Sequence, residues 1–245
     1  TALVFDLNTK ENTFALEGDY KYSFVNEYGN EENKQGYNTF LNFAKTSQKF
    51  RFGLGAKYVS QDYDPNDLGI NFQTHYHAYN GNISFRTLEP TKVFNNINST
   101  ISYYSEFDNI TSKIQANSLS ANINFTTVQN DSFNFYLNTR PTEIYNFYEP
   151  RSIDDSKYFI EPKFIGGQFV FSSNYNRKFA IDAIPSYRKY DQENRERYGV
   201  LISPKYRFNN HLSSTLDFDY LRQNNNLGWI DFNDDGDAIF ARRNV

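Results

Sequence analysis

The chain has 245 residues, a length that fits one large β domain or two smaller ones. Its formal net charge of −4 gives no reason to expect a nucleic-acid partner. Cysteine is absent, which excludes disulfides, thiolate metal sites and a cysteine nucleophile. Aromatic residues make up 18% of the chain, which argues against disorder and favours strands that are apolar on one side.

Apolar and polar residues alternate with a period of two from end to end, as in β-strands with two different sides. Residues 13–24, TFALEGDYKYSF, place aromatic and aliphatic side chains at even positions and charged ones at odd positions. The segments 49–60, 197–208 and 211–223 repeat this pattern, and no segment has a helical period or approaches the roughly 18 apolar residues of a membrane-spanning helix. The sequence predicts thirteen strands: 2–7, 13–25, 36–44, 49–60, 69–88, 94–108, 113–128, 132–140, 164–173, 178–190, 196–207, 212–223 and 237–245.

Strand length and loop length together favour a membrane barrel. Several predicted strands alternate for ten residues or more, whereas strands of globular proteins average about 5–6 residues and a tilted membrane strand needs roughly 9–11. Short connections such as 8–12, 45–48 and 129–131 alternate with mostly longer ones such as 26–35, 141–163 and 224–236. Short turns at one end and longer loops at the other are typical of outer-membrane barrels.

We therefore predict one all-β domain over residues 1–245, an antiparallel up-and-down transmembrane β-barrel with about 12–14 strands visible. Pro185 and Pro204 count against this interpretation, because they fall inside neighbouring predicted strands where the ladder needs an N–H, unless they mark a bulge or a local loss of pairing. Because bacterial single-chain barrels have an even number of strands, thirteen is an incomplete or mistaken number.

The aromatic side of each strand is predicted to contact lipid, and the polar side to face a wet or plugged lumen. A soluble barrel or sandwich with the aromatic side enclosed is the alternative. The residues predicted to face the lumen are Glu17, Asp19, Lys21, Arg51, Lys57, His75, His77, Lys205, Arg207, Asp217 and Asp219.

Two patterns suggest metal ligands, each with a simpler interpretation. Asp231, Asn233 and Asp235 have the D-x-N-x-D-G spacing of a calcium loop, but the twelfth position is Arg242 and no helices flank the loop, so an acidic loop before a strand is favoured. His75 and His77 lie two apart on one predicted strand and would point the same way, as two polar lumen residues or as two of three metal ligands. No other cofactor is expected.

The segment YRKYDQENRERY at residues 187–198 is dense in charges of both signs. Such a segment is either a solvated rim with weak ion pairs or a charged constriction that selects solutes. Its sequence alone leaves both interpretations open.

Several patches resemble the barrel region of a Bacteroidetes outer-membrane family of unknown function: NFYEPR (146–151), SSNYNRKFAIDAIPSY (172–187), ISPKYRFNNHL (202–212), RQNNNLGWID (222–231), IFARRNV (239–245) and NDLGINFQTHYHAYNGNISFR (66–86). In that family a domain similar to carbohydrate-binding family 9 usually precedes the barrel. The resemblance implies that the chain is an internal part of a larger barrel. It carries over no catalytic residue.

The sequence thus predicts an outer-membrane β-barrel of a Gram-negative bacterium that acts as a scaffold or conduit for solutes. Lipid is the expected partner, and the resemblance adds glycans or other envelope proteins. The alternatives are a membrane-associated hydrolase with its active site in the loops, and a soluble β protein with an aromatic ligand cleft. No motif for nucleophilic catalysis or phosphate binding is present.

Overall fold

The computed structural model describes residues 1–26, 33–65, 75–150 and 157–245. These residues form seventeen β-strands and no helix, so the all-β prediction is confirmed. None of the described residues belongs to a helix long and apolar enough to cross a membrane.

The strands in chain order are β1 (Ala2–Asn8), β2 (Phe14–Val25), β3 (Lys34–Lys45), β4 (Phe50–Val59), β5 (Tyr76–Arg86), β6 (Phe94–Asp108), β7 (Ile114–Thr127), β8 (Ser132–Arg140), β9 (Ile144–Asn146), β10 (Phe159–Glu161), β11 (Phe164–Ser172), β12 (Phe179–Tyr190), β13 (Glu196–Arg207), β14 (Ser213–Thr215), β15 (Phe218–Asn224), β16 (Asn226–Phe232) and β17 (Ala238–Arg243).

Thirteen of these strands form one up-and-down sheet, in which every pairing whose register is resolved is antiparallel. Strands β1 to β8 follow one another, β11, β12, β13 and β14 continue the order, and β15 also pairs with β13. Strands β9 and β10 form a separate pair, as do β16 and β17. Among the described residues β1 pairs only with β2 and no strand closes the path, so a closed transmembrane barrel stays a prediction.

The differences from the predicted strands lie where the period-two pattern is short or interrupted. Strands β9, β10 and β16 fall in the predicted loops 141–163 and 224–236. Strands β9 and β10 have only three residues each and are too short to show an alternation. The predicted strand 212–223 is divided into β14 and β15. The first part of predicted strand 69–88 lies outside the described residues, and β5 begins at Tyr76.

Each proline stays paired with one neighbouring strand and coincides with a local loss of pairing to the other: in the register of β12 and β13, Pro185 lies opposite Val200 and Pro204 opposite Ile181. The register between β11 and β12 is interrupted between Gln168↔Ser186 and Phe171↔Ala183, which spans Pro185. On β13, Pro204 lies opposite the gap between β14 and β15, and its carbonyl still accepts a hydrogen bond from the Leu216 amide at 3.1 Å. A proline supplies no N–H to a neighbouring strand, so the ladder opens at these two places.

The described chain divides into two compact units: residues 1–84 with 102–117, and residues 85–101 with 118–245. The first unit contains a small buried cluster, in which Val59, Tyr63, Tyr76 and Ala78 pack together. Tyr63 reaches this cluster because Gly36 lets the segment after β4 approach β3, where a Cβ would lie 2.1 Å from the Tyr63 backbone nitrogen.

One side of the strands, here called the apolar side, exposes large hydrophobic residues. In the first unit Leu3 lies beside Tyr20 and Phe43 beside Leu54 in the strand registers, and Leu54 is 60% exposed. The second unit continues the same pattern with Leu119, Ile123, Phe135, Leu137, Ile165, Phe218 and Tyr220. Among the described residues no layer of structure covers these side chains.

Candidate functional site

The opposite side of the strands, here called the polar side, carries most of the charged residues singled out in the sequence. In the first unit the Lys21 ammonium lies 2.6 Å from the Asp19 carboxylate, and Asn42 donates a hydrogen bond to Glu17 at 2.9 Å. Lys57 lies over the Tyr76 ring at 5.2 Å. Period two places Arg51 on the same side of β4 as Lys57.

The two histidines do not point the same way, contrary to the expectation. His75 precedes β5, has a positive φ of 51° and contacts the Asp108 carboxylate at 2.7 Å through Nδ1. His77 lies on the apolar side, where its ring stacks on Phe107 at 5.2 Å and its Nδ1 contacts Asn109 at 2.7 Å. The arrangement therefore gives no shared metal site.

Asp108 is the most enclosed charged group in the described part of the first unit, at 1% exposure. One carboxylate oxygen contacts His75, and the other accepts hydrogen bonds from the Thr111 amide at 2.5 Å and hydroxyl at 2.6 Å. Because both oxygens have partners, the group fixes the turn after β6. The Thr111 hydroxyl donates its hydrogen bond to this carboxylate and not to His75.

A second buried carboxylate, Glu106, is also satisfied from within the unit. The Tyr104 hydroxyl donates to one of its oxygens at 2.5 Å and the Gln115 amide donates to the other at 3.0 Å. Buried polar groups of this kind stabilise a fold when each finds a partner. Glu106 and Asp108 therefore have their hydrogen-bond partners within the first unit.

The second unit places its four predicted lumen residues on its polar side. Lys205 lies over the Tyr175 ring at 5.2 Å, and Arg207 donates a hydrogen bond to the Tyr175 carbonyl at 2.9 Å. Asp217 accepts a hydrogen bond from the Ser203 hydroxyl, and Asp219 lies opposite Leu201 in the register.

The most distinctive feature of this side is a cavity of about 250 Å³ among arginine and aromatic side chains. We call it the arginine–aromatic cleft and define it by Arg140, Phe164, Arg188, Tyr190, Arg195 and Trp229. The register aligns Arg140, Phe164 and Tyr190 across β8, β11 and β12, so one row of the sheet forms its floor.

The guanidinium groups of the cleft rest on its aromatic rings. Arg188 lies 4.4 Å and Arg140 lies 5.2 Å from the centre of the Phe164 ring, and Arg195 lies 4.1 Å from that of Tyr190. These distances are within the roughly 6 Å range of cation–π attraction, which holds a guanidinium in place without using its N–H donors.

Two acidic residues, Glu149 and Glu161, also line the cavity, and Glu161 forms an ion pair with Arg140 at 2.7 Å. Burial lowers the pKa of the Arg195 guanidinium from its ordinary value, and the neighbouring Arg242 and Arg140 also lower it, against the opposing effects of Tyr190 and Glu161. The Arg195 Nη1 donates to Gln192 at 2.9 Å, but its buried Nε has no hydrogen-bond partner among the described residues. The cleft thus holds cations that its own acids only partly neutralise.

The predicted calcium loop is organised as a turn. The Asn233 side-chain oxygen accepts hydrogen bonds from the amides of Asp235 at 3.1 Å and Asp237 at 2.7 Å, and Asp231 accepts one from the Phe232 amide at 2.9 Å. The described residues contain no group of three or more His, Cys, Asp or Glu side chains arranged for a metal ion. Calcium binding here stays a prediction.

The sequence pattern indicated the charged segment 187–198 but did not reveal which other residues line the cleft with it. Arg140 and Phe164 stand at strand ends on either side of a long connection, and Trp229 lies in a strand that the pattern did not reveal. One sequence signal was present: Gly166 and Gly167 lie within a predicted strand, and Gly166 is opposite Arg188 in the register of β11 and β12.

The comparisons with known proteins give a family but no described relative. None of the curated proteins matches the chain, and neither does any solved structure. The model of one family, described as "Domain of unknown function (DUF5916)", matches residues 1–245. Since the match spans the whole chain, the protein belongs to this family of unknown function.

Proposed function

We propose that the protein is an outer-membrane β-barrel protein of a Gram-negative bacterium, with its apolar side in lipid and its polar side lining an interior that serves as a conduit or scaffold. The observation that carries the proposal is the exposure of the apolar side. Leu3, Leu54, Ile83 and Phe218 are between 57% and 67% exposed, and other large hydrophobic residues adjoin them. Soluble monomers rarely expose connected apolar surface beyond a few hundred Å².

Strand length supports the same function. Strands β2, β3, β6, β7, β12 and β13 have 12 to 15 residues, above the roughly 9–11 that a tilted strand needs to cross the hydrocarbon layer. An up-and-down order with short turns at one end is the arrangement that such barrels use.

The apolar side also has a row of tyrosines suited to a membrane interface. Tyr37 stacks between Tyr20 at 6.0 Å and Tyr58 at 5.4 Å, across three adjacent strands. Tyrosine rings prefer the level of the lipid headgroups, where the ring is in an apolar layer and the hydroxyl is wet. We place this row at one edge of the lipid-facing band.

The first test is whether the purified protein needs lipid or detergent. We expect it to float with lipid vesicles and to migrate as a compact form in cold SDS that heating converts to a slower one. A monodisperse protein in buffer without detergent would contradict the proposal. Ion conductance across planar bilayers then separates the two roles, because a conduit conducts and a plugged scaffold does not.

A further inference from the structure

The lining of the cleft contains three arginines, Arg140, Arg188 and Arg195, and two glutamates, Glu149 and Glu161. Among the described residues no carboxylate forms an ion pair with Arg188 or Arg195, whereas Arg140 has Glu161. Arg188 also lies directly opposite Arg197 in the register of β12 and β13. Like charges directly opposite each other destabilise a sheet, and no described carboxylate pairs with Arg188 to offset this cost.

The cleft holds these cations in defined positions. A Cβ at Gly166 would lie 3.0 Å from Cβ and 3.1 Å from Cγ of Arg188, so the glycine leaves the space in which the arginine stem lies. The Phe164 ring lies two residues before Gly166 on the same side of β11, and the Arg188 guanidinium packs over it at 4.4 Å. A planar guanidinium fixed in this way presents a fork of N–H donors that matches an oxyanion.

We propose that the arginine–aromatic cleft is a binding site for a small solute that carries a carboxylate or phosphate group. The cavity of about 250 Å³ lies just below the roughly 300–1,000 Å³ of common ligand pockets, which limits the ligand to a small molecule. Arg188 and Arg195 bind the oxyanion, Arg140 contributes a donor beside Glu161, and Trp229 covers one side.

The test uses radiolabelled inorganic phosphate and citrate in equilibrium dialysis with the protein in detergent micelles at constant ionic strength. We expect saturable binding of at least one of the two, and the probe that binds more tightly identifies the preferred oxyanion. Trp229 is the only tryptophan of the chain, so its fluorescence locates the bound probe. Failure of both probes to saturate would overturn the proposal.

Four variants assign the binding to the cleft. Arg188→Gln and Arg195→Gln should each weaken binding about ten- to a hundredfold, because a hydrogen bond to a charged group is lost in each. Gly166→Ala should also weaken it, by displacing Arg188 while keeping the charge. Arg51→Gln, which removes one arginine from the polar side of the first unit, should bind like the parent protein.

Equal affinity in the parent protein, Arg188→Gln and Arg195→Gln would overturn the assignment, as would an equal loss in Arg51→Gln, which would indicate nonspecific attraction. Circular dichroism confirms that each variant keeps its β structure. The assay requires no membrane, so failure here leaves the lipid-facing proposal intact, and a failure of that proposal leaves oxyanion binding measurable.

Discussion

Charged groups on the polar sides of the two units differ in whether other described groups pair with them. In the first unit the buried carboxylates Asp108 and Glu106 receive hydrogen bonds from neighbouring side chains and from the backbone. In the second unit Arg188 and Arg195 surround a cavity, and no described carboxylate pairs with them. A charge whose hydrogen bonds are satisfied within the fold stabilises it, and a charge without an ion-pair partner can receive a ligand. We therefore expect a structural role for the first cluster and ligand binding for the second.

The largest expected effect follows from removing the central carboxylate of the first unit. Asp108→Ala leaves His75 and the Thr111 amide and hydroxyl without their acceptor, and it should lower the free energy of unfolding by about 3 kcal/mol. The measurement is a urea titration of the folded protein in detergent. The control Asp219→Asn alters an exposed carboxylate and should change the unfolding free energy by less than about 0.5 kcal/mol. An equal loss of unfolding free energy in Asp108→Ala and Asp219→Asn would contradict the structural role of the buried carboxylate.

The next effect tests the packing that closes the first unit. Gly36→Ala places a Cβ 2.1 Å from the Tyr63 nitrogen and 2.3 Å from the Asp62 carbonyl carbon, and backbone atoms cannot rotate away. We expect a loss of about 2 kcal/mol of unfolding free energy and faster proteolysis of residues 60–65.

A matched control for this prediction lies in the same unit. The nearest atom to a Cβ at Gly81 is Leu54 Cδ2 at 3.4 Å, an ordinary contact. Gly81→Ala should therefore keep the parent stability, and a loss as large as that of Gly36→Ala would show that any added methyl group disturbs these strands.

A smaller effect concerns an ion pair in the turns of the second unit. Arg177 donates a hydrogen bond to Asp131 at 2.7 Å and lowers the pKa of that carboxyl, and the Asn174 amide acts in the same direction. Asp131→Asn should cost less than about 1 kcal/mol, as for other partly exposed pairs.

The pH dependence of this pair has a defined sign. Because the folded pKa lies below the ordinary value of 3.8, the stabilisation is complete above that value and is lost as the pH falls through the folded pKa. The difference in stability between the parent and Asp131→Asn should therefore be constant near neutral pH and disappear in acid. A difference that persists in strong acid would contradict the assignment.

The smallest effect contrasts most directly with that of Asp108. Arg188→Gln removes a cation that lies opposite Arg197 and has no described acidic partner, but it also removes the contact with the Phe164 ring, so the unfolding free energy should change by less than about 0.5 kcal/mol. A urea titration without added anions measures it. A loss above about 1 kcal/mol would make Arg188 a structural residue and weaken the contrast between the units.

The sequence predicted the strands well wherever one side was continuously apolar, as in β2 and β4, because the period of two is visible over ten or more residues. It missed β9 and β10, since three-residue strands show no period. It placed His77 on the polar side because it continued the strand through His75, where a positive φ precedes β5. The cleft depends on the pairing of β8, β11 and β12, which no local pattern reveals.

The central claim is that the apolar side contacts lipid and the polar side does not. The chain has no cysteine, so single cysteines can be introduced at Leu54, Ile123 and Phe218 on the apolar side and at Lys57, Asn122 and Asp217 on the polar side, and labelled with a fluorophore. In vesicles that contain lipids with a quencher on the acyl chain, we expect strong quenching at the first three positions and little at the other three. Equal quenching on both sides, or quenching of the polar side alone, would contradict the account.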